Sequence, residues 1–351
     1  MIDGLARTHL YREIHEQPEA LGRFLATARG TAEAIADALR DRDIRHVVVA
    51  ARGTSDNAAR YAGYLLASEN GLHVGLTSPS LFSLYHRPPR LDGALVLGIS
   101  QSGTSPDIVA VLAEARRQGA ATLAITNSPD SELARLAEFN LDLAVGVERS
   151  VAATKTYTSE LAAVALLSAS LARDTQRLVE LDRLPGLMEE ALTLGPVMDA
   201  LAERWTELER ASVLARGYHL ATAFEIALKL KELTYASVEP MSTADFQHGP
   251  MAMVSPGFPV LAVATTGPTL PGVVDCLELL SARRADLAVL SDDSVALATA
   301  DTPIPLPAGV PEWLAPIPGV VPGQLLAMSL AGLRGVDVDE PRGLRKVTRT
   351  T

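Results

Sequence analysis

His46-Val47-Val48-Val49-Ala50-Ala51-Arg52-Gly53-Thr54-Ser55 is a short apolar run that stops at a glycine and passes into hydroxyl side chains. Residues 46–50 read as a buried strand, Gly53-Thr54-Ser55 as a turn, and about 56–67 as a helix. Outward from this stretch the same alternation continues. Strands are expected over 94–100, 121–126 and 141–145, with helices over 106–118 and 156–172. Short apolar strands separated by helices predict an α/β fold, a parallel sheet with helices on both faces.

The opening pattern returns. Ala51-Arg52-Gly53 recurs as Ala215-Arg216-Gly217, 164 residues further on. At the same spacing Ser102-Gly103 meets Thr266-Gly267, and Thr122-Leu123-Ala124-Ile125 meets Asp286-Leu287-Ala288-Val289. Three matches in one register indicate two copies of one domain. The second copy is expected to carry strands over 212–215, 259–265 and 287–291, and helices over 221–236, 273–284 and 323–333. A single helix over 189–203 is expected to link the copies. The organisation that follows is a helical arm over 1–30, with Pro18 in a turn, a first domain over 31–180, a second over 195–335 and a tail over 336–351.

Ligands of open α/β sheets bind beyond the carboxyl ends of the strands. Two polar loops of the first copy lie there, Gly53-Thr54-Ser55 and Ser100-Gln101-Ser102-Gly103-Thr104-Ser105, the second running into a helix opened by Pro106-Asp107. Free N–H groups, hydroxyls and a helix N-terminus suit a phosphate. Serine and threonine are also good helix caps. One cap needs one hydroxyl, so the surplus favours a phosphate cradle. The second copy has Ala264-Thr265-Thr266-Gly267 at this place and has lost most of the hydroxyls. One working cradle per chain follows, with the second copy turned to another use.

That use is sought in Glu225-Ile226-Ala227-Leu228-Lys229-Leu230-Lys231-Glu232 and Phe246-Gln247-His248-Gly249-Pro250. On a helix Glu225, Lys229 and Glu232 share a face. By itself the segment also reads as an amphipathic helix with a surface Glu–Lys pair, and His248 as a core histidine.

Composition narrows the function classes. The formal charge of −11 offers no basic field for nucleic acid or an anionic membrane. Cys276 is the sole cysteine, lies in an apolar-periodic segment and reads as packing, which fits a reducing cytoplasm. The N-terminus lacks the apolar region of a signal peptide, and the stretch 161–172 is too short to span a bilayer. No Cys, His or carboxylate set has metal spacing, so neither metal nor organic cofactor is expected.

Taken together, the motifs resemble the SIS (sugar isomerase) family, in particular the isomerase half of glucosamine-6-phosphate synthase and the stand-alone isomerising deaminases. The resemblance rests on Gly53-Thr54-Ser55, Ser100-Gln101-Ser102-Gly103, Val151-Ala152-Ala153-Thr154-Lys155, Ala227 to Glu232, Gln247-His248-Gly249-Pro250 and Asp337 to Lys346. It implies two tandem SIS domains, each a flavodoxin-like three-layer sandwich. By this resemblance Gly53, Thr54, Ser55, Ser100, Gln101, Ser102 and Ser105 hold a sugar phosphate, with backbone near Val151 and Ala152. Glu232 would move a proton between C1 and C2, and Lys229 would lie at the reacting end. His248 would assist ring opening from the neighbouring subunit of a homodimer, and Lys346 would form a Schiff base with a ketose phosphate. A positioned carboxylate is suited to such proton transfer, worth about 10²–10⁴ in rate.

Met1-Ile2 leads straight into the arm, so no glutamine-splitting domain is expected. Gly343 replaces a usual asparagine near the tail lysine. The expected activity is conversion of glucosamine 6-phosphate to fructose 6-phosphate and ammonia. Galactosamine 6-phosphate, a sugar–amino acid 6-phosphate, or a non-catalytic sugar-phosphate sensor stay open as alternatives.

Overall fold

The computed structural model describes residues 4–347, which fall into two compact units. The first contains Gln17–Glu148, Lys155–Pro185 and the tail from Arg345; the second contains the N-terminal residues to Glu16, Arg149–Thr154 and Gly186–Leu344.

In the first unit, five strands form one parallel sheet: β1 His46–Ala50, β2 His73–Leu76, β3 Ala94–Ile99, β4 Ala121–Thr126 and β5 Phe139–Asp142. Their order is β2-β1-β3-β4-β5. Every residue of β3 and β4 is buried, as expected of central strands covered on both faces. The edge strand β2 was invisible in the sequence because its His73-Val74-Gly75-Leu76 is partly exposed and carries no apolar run. The strand expected over 141–145 instead spans Phe139–Asp142. It ends there because the Asp142 carboxylate accepts the Ala144 N–H at 3.0 Å, and Ala144 takes a left-handed φ of 49°.

The helix Gln17–Arg40 runs straight through Gly30, with Pro18 in its first turn, where a missing N–H costs nothing. Its buried stripe, which includes Leu21, Phe24, Leu25, Ala28, Ala32 and Ile35, repeats at helical spacing and packs against the helix Lys155–Ala172.

The second unit repeats the plan with β6 Arg210–Ala215, β7 Ser237–Ser242, β8 Pro259–Ala264, β9 Asp286–Ser291 and β10 Thr302–Pro305, all parallel. Reading from β7, the order is β7-β6-β8-β9-β10, the same as in the first unit. β1 and β6 start at 46 and 210, and β2 and β7 at 73 and 237, at the spacing of 164 read in the sequence. β3 and β8 (94 and 259) and β4 and β9 (121 and 286) start 165 apart, one residue off the register read there. Pro240, Pro303 and Pro305 sit in the two edge strands, where a proline interrupts no central ladder.

The single helix expected over 189–203 is two, Leu184–Leu192 and Gly195–Arg204. Pro196 cannot stand inside a continuous helix and opens the second one instead. The most apolar helical stretch is Pro316–Leu333 rather than 161–172. Its length and mean hydropathy of 1.3 would allow a membrane crossing, but 89% of it is buried inside the protein, as in a core helix. Cys276 lies fully buried in the second unit's core, and burial pushes its thiol up to about 11.

Candidate active site

A sheet of order 2-1-3-4-5 reverses direction between β1 and β3, and ligands sit at that switch point. The loops after these two strands are Gly53-Thr54-Ser55 and Ser100 to Ser105. Gly53 has a φ of 56° and stands directly before the helix Thr54–Asn70. Gly103 has a φ of 59°, and a Cβ there would collide with Ser131 and Thr126, so glycine is required.

The hydroxyls of these loops do different work. Ser55 donates to the buried Glu160 at 2.8 Å, which commits its proton inside the fold. The Ser100 hydroxyl accepts the Gly103 N–H at 3.2 Å and keeps its own proton to give. Ser102 is half-buried and Thr104 exposed, their hydroxyl oxygens 3.1 Å apart. Ser105 holds the N-cap position of the helix Pro106–Arg117, yet its side chain makes no capping hydrogen bond. The buried Asp107 instead accepts the Ile108 N–H at 2.9 Å and Arg52 Nε at 2.8 Å. The hydroxyl surplus noted in the sequence is therefore not consumed by capping.

Gln101 is held twice. Its carbonyl accepts the Asn127 N–H and the Thr126 hydroxyl, both at 3.2 Å, and its Nε2 donates to Glu148 Oε2 at 2.7 Å. That same oxygen accepts from the Thr156 hydroxyl at 2.9 Å and from Lys346 Nζ at 3.1 Å, while Oε1 accepts the Thr156 N–H at 3.2 Å. Glu148 is buried, and it was missed in the sequence because a lone glutamate before Arg149 carries no pattern. A cavity of about 500 Å³ opens here, with Gln101, Ser102, Asn127, Glu148 and Lys346 in its wall. Three residues singled out from sequence thus converge in one cavity of the first unit. Gly53, Thr54, Ser55, Ser100 and Ser105 do not line it.

In the second unit the helix Leu220–Thr234 carries Glu225, Lys229 and Glu232. The Lys229 ammonium is 2.5 Å from Glu232 Oε2 and 3.4 Å from Glu225 Oε1. A surface Glu–Lys pair is excluded: Lys229 is 1% exposed, Glu225 is 0% exposed, and Glu232 keeps 22%. The helix is covered by Val321–Leu333 and by β6 and β7, which leaves its polar face no path to solvent except at Glu232. An ammonium between two carboxylates meets the demand that buried charge be paired, and a surplus negative charge remains at the exposed end.

His248 is exposed at the end of the short helix Thr243–Gln247, its N–H donating to the Asp245 carbonyl at 3.0 Å. Among the described residues its ring makes no hydrogen bond. His219, by contrast, is buried, with Nδ1 3.2 Å from the Thr222 hydroxyl; desolvation lowers its pKa to about 3.

Val151 and Ala152 belong to the second unit, and the cradle loops to the first. Glu13 accepts from the Arg149 and Ser150 N–H groups and from the Ser150 hydroxyl, which also donates to the Ala152 carbonyl at 2.9 Å. Val151 N donates to the Asp339 carbonyl at 3.2 Å, while the Asp339 carboxylate takes the His9 and Leu10 N–H groups at 2.9 and 2.8 Å. Asp339 lies in a motif quoted above and Glu13 in the N-terminal arm, but spacing along the chain could not show that both fasten this one segment.

Comparison with known proteins agrees with the two-copy fold. The SIS domain family matches residues 42–170 and 206–331. The isomerizing glutamine–fructose-6-phosphate aminotransferase of Thermus thermophilus is 38% identical over 359 aligned positions, which cover 96% of this chain and 58% of that protein. The chain therefore spans a little over half the length of that curated relative. Among solved structures, the C-terminal domain of glucosamine-fructose-6-phosphate aminotransferase from Francisella tularensis superposes with a TM-score of 0.88 at 29% identity, covering 95% of this chain and 98% of that one. A protein from Silicibacter pomeroyi, provisionally described as a phosphosugar isomerase, gives 0.86 at 34% identity, covering 95% and 100%. Two parallel five-stranded sheets of one order, a hydroxyl loop at the first switch point and a family match over both copies lead to one conclusion: the chain belongs to the SIS domain family.

Proposed function

We propose that this chain is an aldose–ketose isomerase of amino-sugar 6-phosphates, interconverting glucosamine 6-phosphate with fructose 6-phosphate and ammonia. The observation that carries this reading is the convergence of Gln101, Ser102 and the tail residue Lys346 on one cavity through Glu148. A hydroxyl loop next to an amine suits a ligand with a phosphate at one end and a carbonyl at the other. The relatives from Thermus thermophilus and Francisella tularensis, both named for fructose 6-phosphate, support a six-carbon ketose phosphate.

In this reading Ser100, Ser102, Ser105 and Thr54 donate hydroxyl protons to the phosphate, and the turn at Gly53 approaches it closely. Ser55, its proton held by Glu160, keeps the turn in shape. Glu232 takes the proton from C2 of the aldose and returns it at C1, with Lys229 fixing its position and lowering the cost of its charge. The imine so formed at C2 adds water and expels ammonia to give the ketose. In the reverse direction Lys346 adds to the ketose C2 carbonyl with loss of water, and ammonia then displaces the lysine. His248 reaches the site of the neighbouring subunit in a homodimer and relays a proton at the ring oxygen, a task for an imidazole near neutral pH. Phosphate held far from the reacting carbons supplies binding energy that orients them. The setting of such chemistry would be the cytoplasm.

An ammonia-release assay over glucosamine 6-phosphate, galactosamine 6-phosphate and a sugar–amino acid 6-phosphate, with fructose 6-phosphate followed in parallel, tests the proposal. Release from glucosamine 6-phosphate with matching ketose formation is expected. Turnover of a different member of the panel would replace the substrate, and no turnover of any would leave a sugar-phosphate sensor as the better reading.

A further inference from the structure

Because the two units repeat one topology, the switch-point crevice of each can be compared position by position. In the first unit the crevice lies between the turns at Gly53 and Gly103. In the second unit the matching glycines, 164 residues on, are Gly217 and Gly267. There the place is taken by a side chain of the same unit. Glu312 Oε1 accepts from the Thr269 hydroxyl at 2.9 Å. A Cβ on Gly267 would stand 2.5 Å from Glu312 Cδ and Oε2, and one on Gly217 would stand 3.6 Å from Oε1. The carboxylate thus lies against both turns, just ahead of the helix Leu270–Ala282, whose N-cap position is Thr269.

The neighbouring residues change in the same sense. Directly after β9 stands Asp292, whose Oδ1 accepts the Thr266 N–H at 2.7 Å. β4 and β9 start 165 residues apart, at 121 and 286, and directly after β4 stands the neutral Asn127. Thr265 keeps a buried hydroxyl for which no partner is found among the described residues. At the positions compared, the first copy therefore presents hydroxyls and an amide, its helix-opening Asp107 being paired with Arg52 at 2.8 Å, while the second presents two carboxylates, one of them seated between the glycine turns.

We infer that the second crevice is an anion site occupied in cis, with the Glu312 carboxylate standing where an external anion would otherwise bind. A helix N-terminus between two strand-end turns attracts negative charge in either copy. A carboxylate carried on the same chain is present at high effective concentration, and with Asp292 it repels a second anion. Resting on the proposed reading, in which the first cradle holds the phosphate, this accounts for one external phosphate site in a chain with two sheets of the same order, whichever sugar that site takes.

The test replaces the second copy's acids by the first copy's chemistry in the full-length chain, Glu312→Ala with Asp292→Asn. Thermal unfolding is followed in sodium sulfate and in sodium chloride of equal ionic strength. Wild type sets the response of the first cradle alone. The double variant is expected to gain a further sulfate-dependent rise of about 2 °C or more, since a newly vacant anion site stabilises the folded state on filling. Equal sulfate responses in variant and wild type would overturn the inference. If the double variant folds in sulfate but not in chloride, the anion has replaced the carboxylate and the inference stands. If it folds in neither, Glu312→Gln decides: a midpoint about 2 °C or more below wild type supports a role for the charge, and an unchanged midpoint overturns it.

Discussion

Lys346 Nζ lies 3.1 Å from Oε2 of Glu148, the same oxygen that accepts from Gln101 Nε2 at 2.7 Å. One buried carboxylate therefore positions both a residue of the hydroxyl loop and the amine of the C-terminal tail. Their placements are coupled through a shared acceptor rather than through any contact with each other.

Glu148→Gln keeps the shape and removes the charge. Its amide cannot serve four donors as the carboxylate does, so about 1–3 kcal/mol of stability should be lost. The KM for sugar phosphate should rise about tenfold or more, and borohydride trapping of a ketose phosphate on Lys346 should weaken. Urea unfolding, steady-state kinetics and mass spectrometry of the trapped adduct read these three effects. Wild-type values in all of them would refute the coupling.

Glu232→Gln should lower turnover by about 10²–10⁴ while sugar-phosphate binding persists, because the amide cannot carry a proton between carbons. If His248 serves the neighbouring subunit, His248→Ala should be nearly as inactive. Mixing the two inactive variants under conditions of subunit exchange should then restore a fraction of wild-type rate, since one site in a mixed dimer holds both native groups. No recovery after proven exchange would place both residues in the same subunit's site.

Lys229→Met removes the ammonium between Glu225 and Glu232 and leaves the buried Glu225 without its counter-charge. Breaking a buried pair from one side costs about 3–5 kcal/mol. A large fall in the denaturation midpoint is expected, relieved when Glu225→Gln is added. A midpoint within error of wild type would mean that the triad bears no load in folding.

His219 links stability to pH. Its folded pKa of about 3 lies below the ordinary value of 6.5, so the unfolded chain binds the extra proton between those limits. The stability that depends on neutral His219 is therefore complete above about pH 6.5 and declines as pH falls toward about 3. At 1.36 kcal/mol per unit of pKa difference, the loss between pH 7 and pH 5 is about 2 kcal/mol. His219→Gln should flatten this slope in urea titrations at the two pH values, whereas an equally steep slope would assign it to other groups.

Much of the architecture was legible in residues 46–55 and their echo at 210–219. Buried parallel strands need apolar runs, and β1, β3, β4, β6, β8 and β9 each hold at least three apolar residues in a row. The edge strands β2, β7 and β10 were not legible, because one face or end stays in solvent and Pro240 or Pro303 breaks no central ladder. At the site, Ser100 to Ser105 stood out by hydroxyl density, while Glu148, Glu160 and Glu312 did not. A single carboxylate has no periodicity, and its role comes from donors that lie far away in sequence, such as Lys346 for Glu148 at a separation of 198 residues.

By itself the order of residues determined the α/β class, the internal duplication and the loops that end the central strands, since all three follow from local apolar runs and glycine turns. Only the tertiary structure decided which hydroxyl protons are committed, that Lys229 is buried between two acids rather than exposed, and that Glu312 fills the second crevice. Those outcomes depend on which distant groups are brought within hydrogen-bond reach and cut off from water, and chain order does not encode that distance.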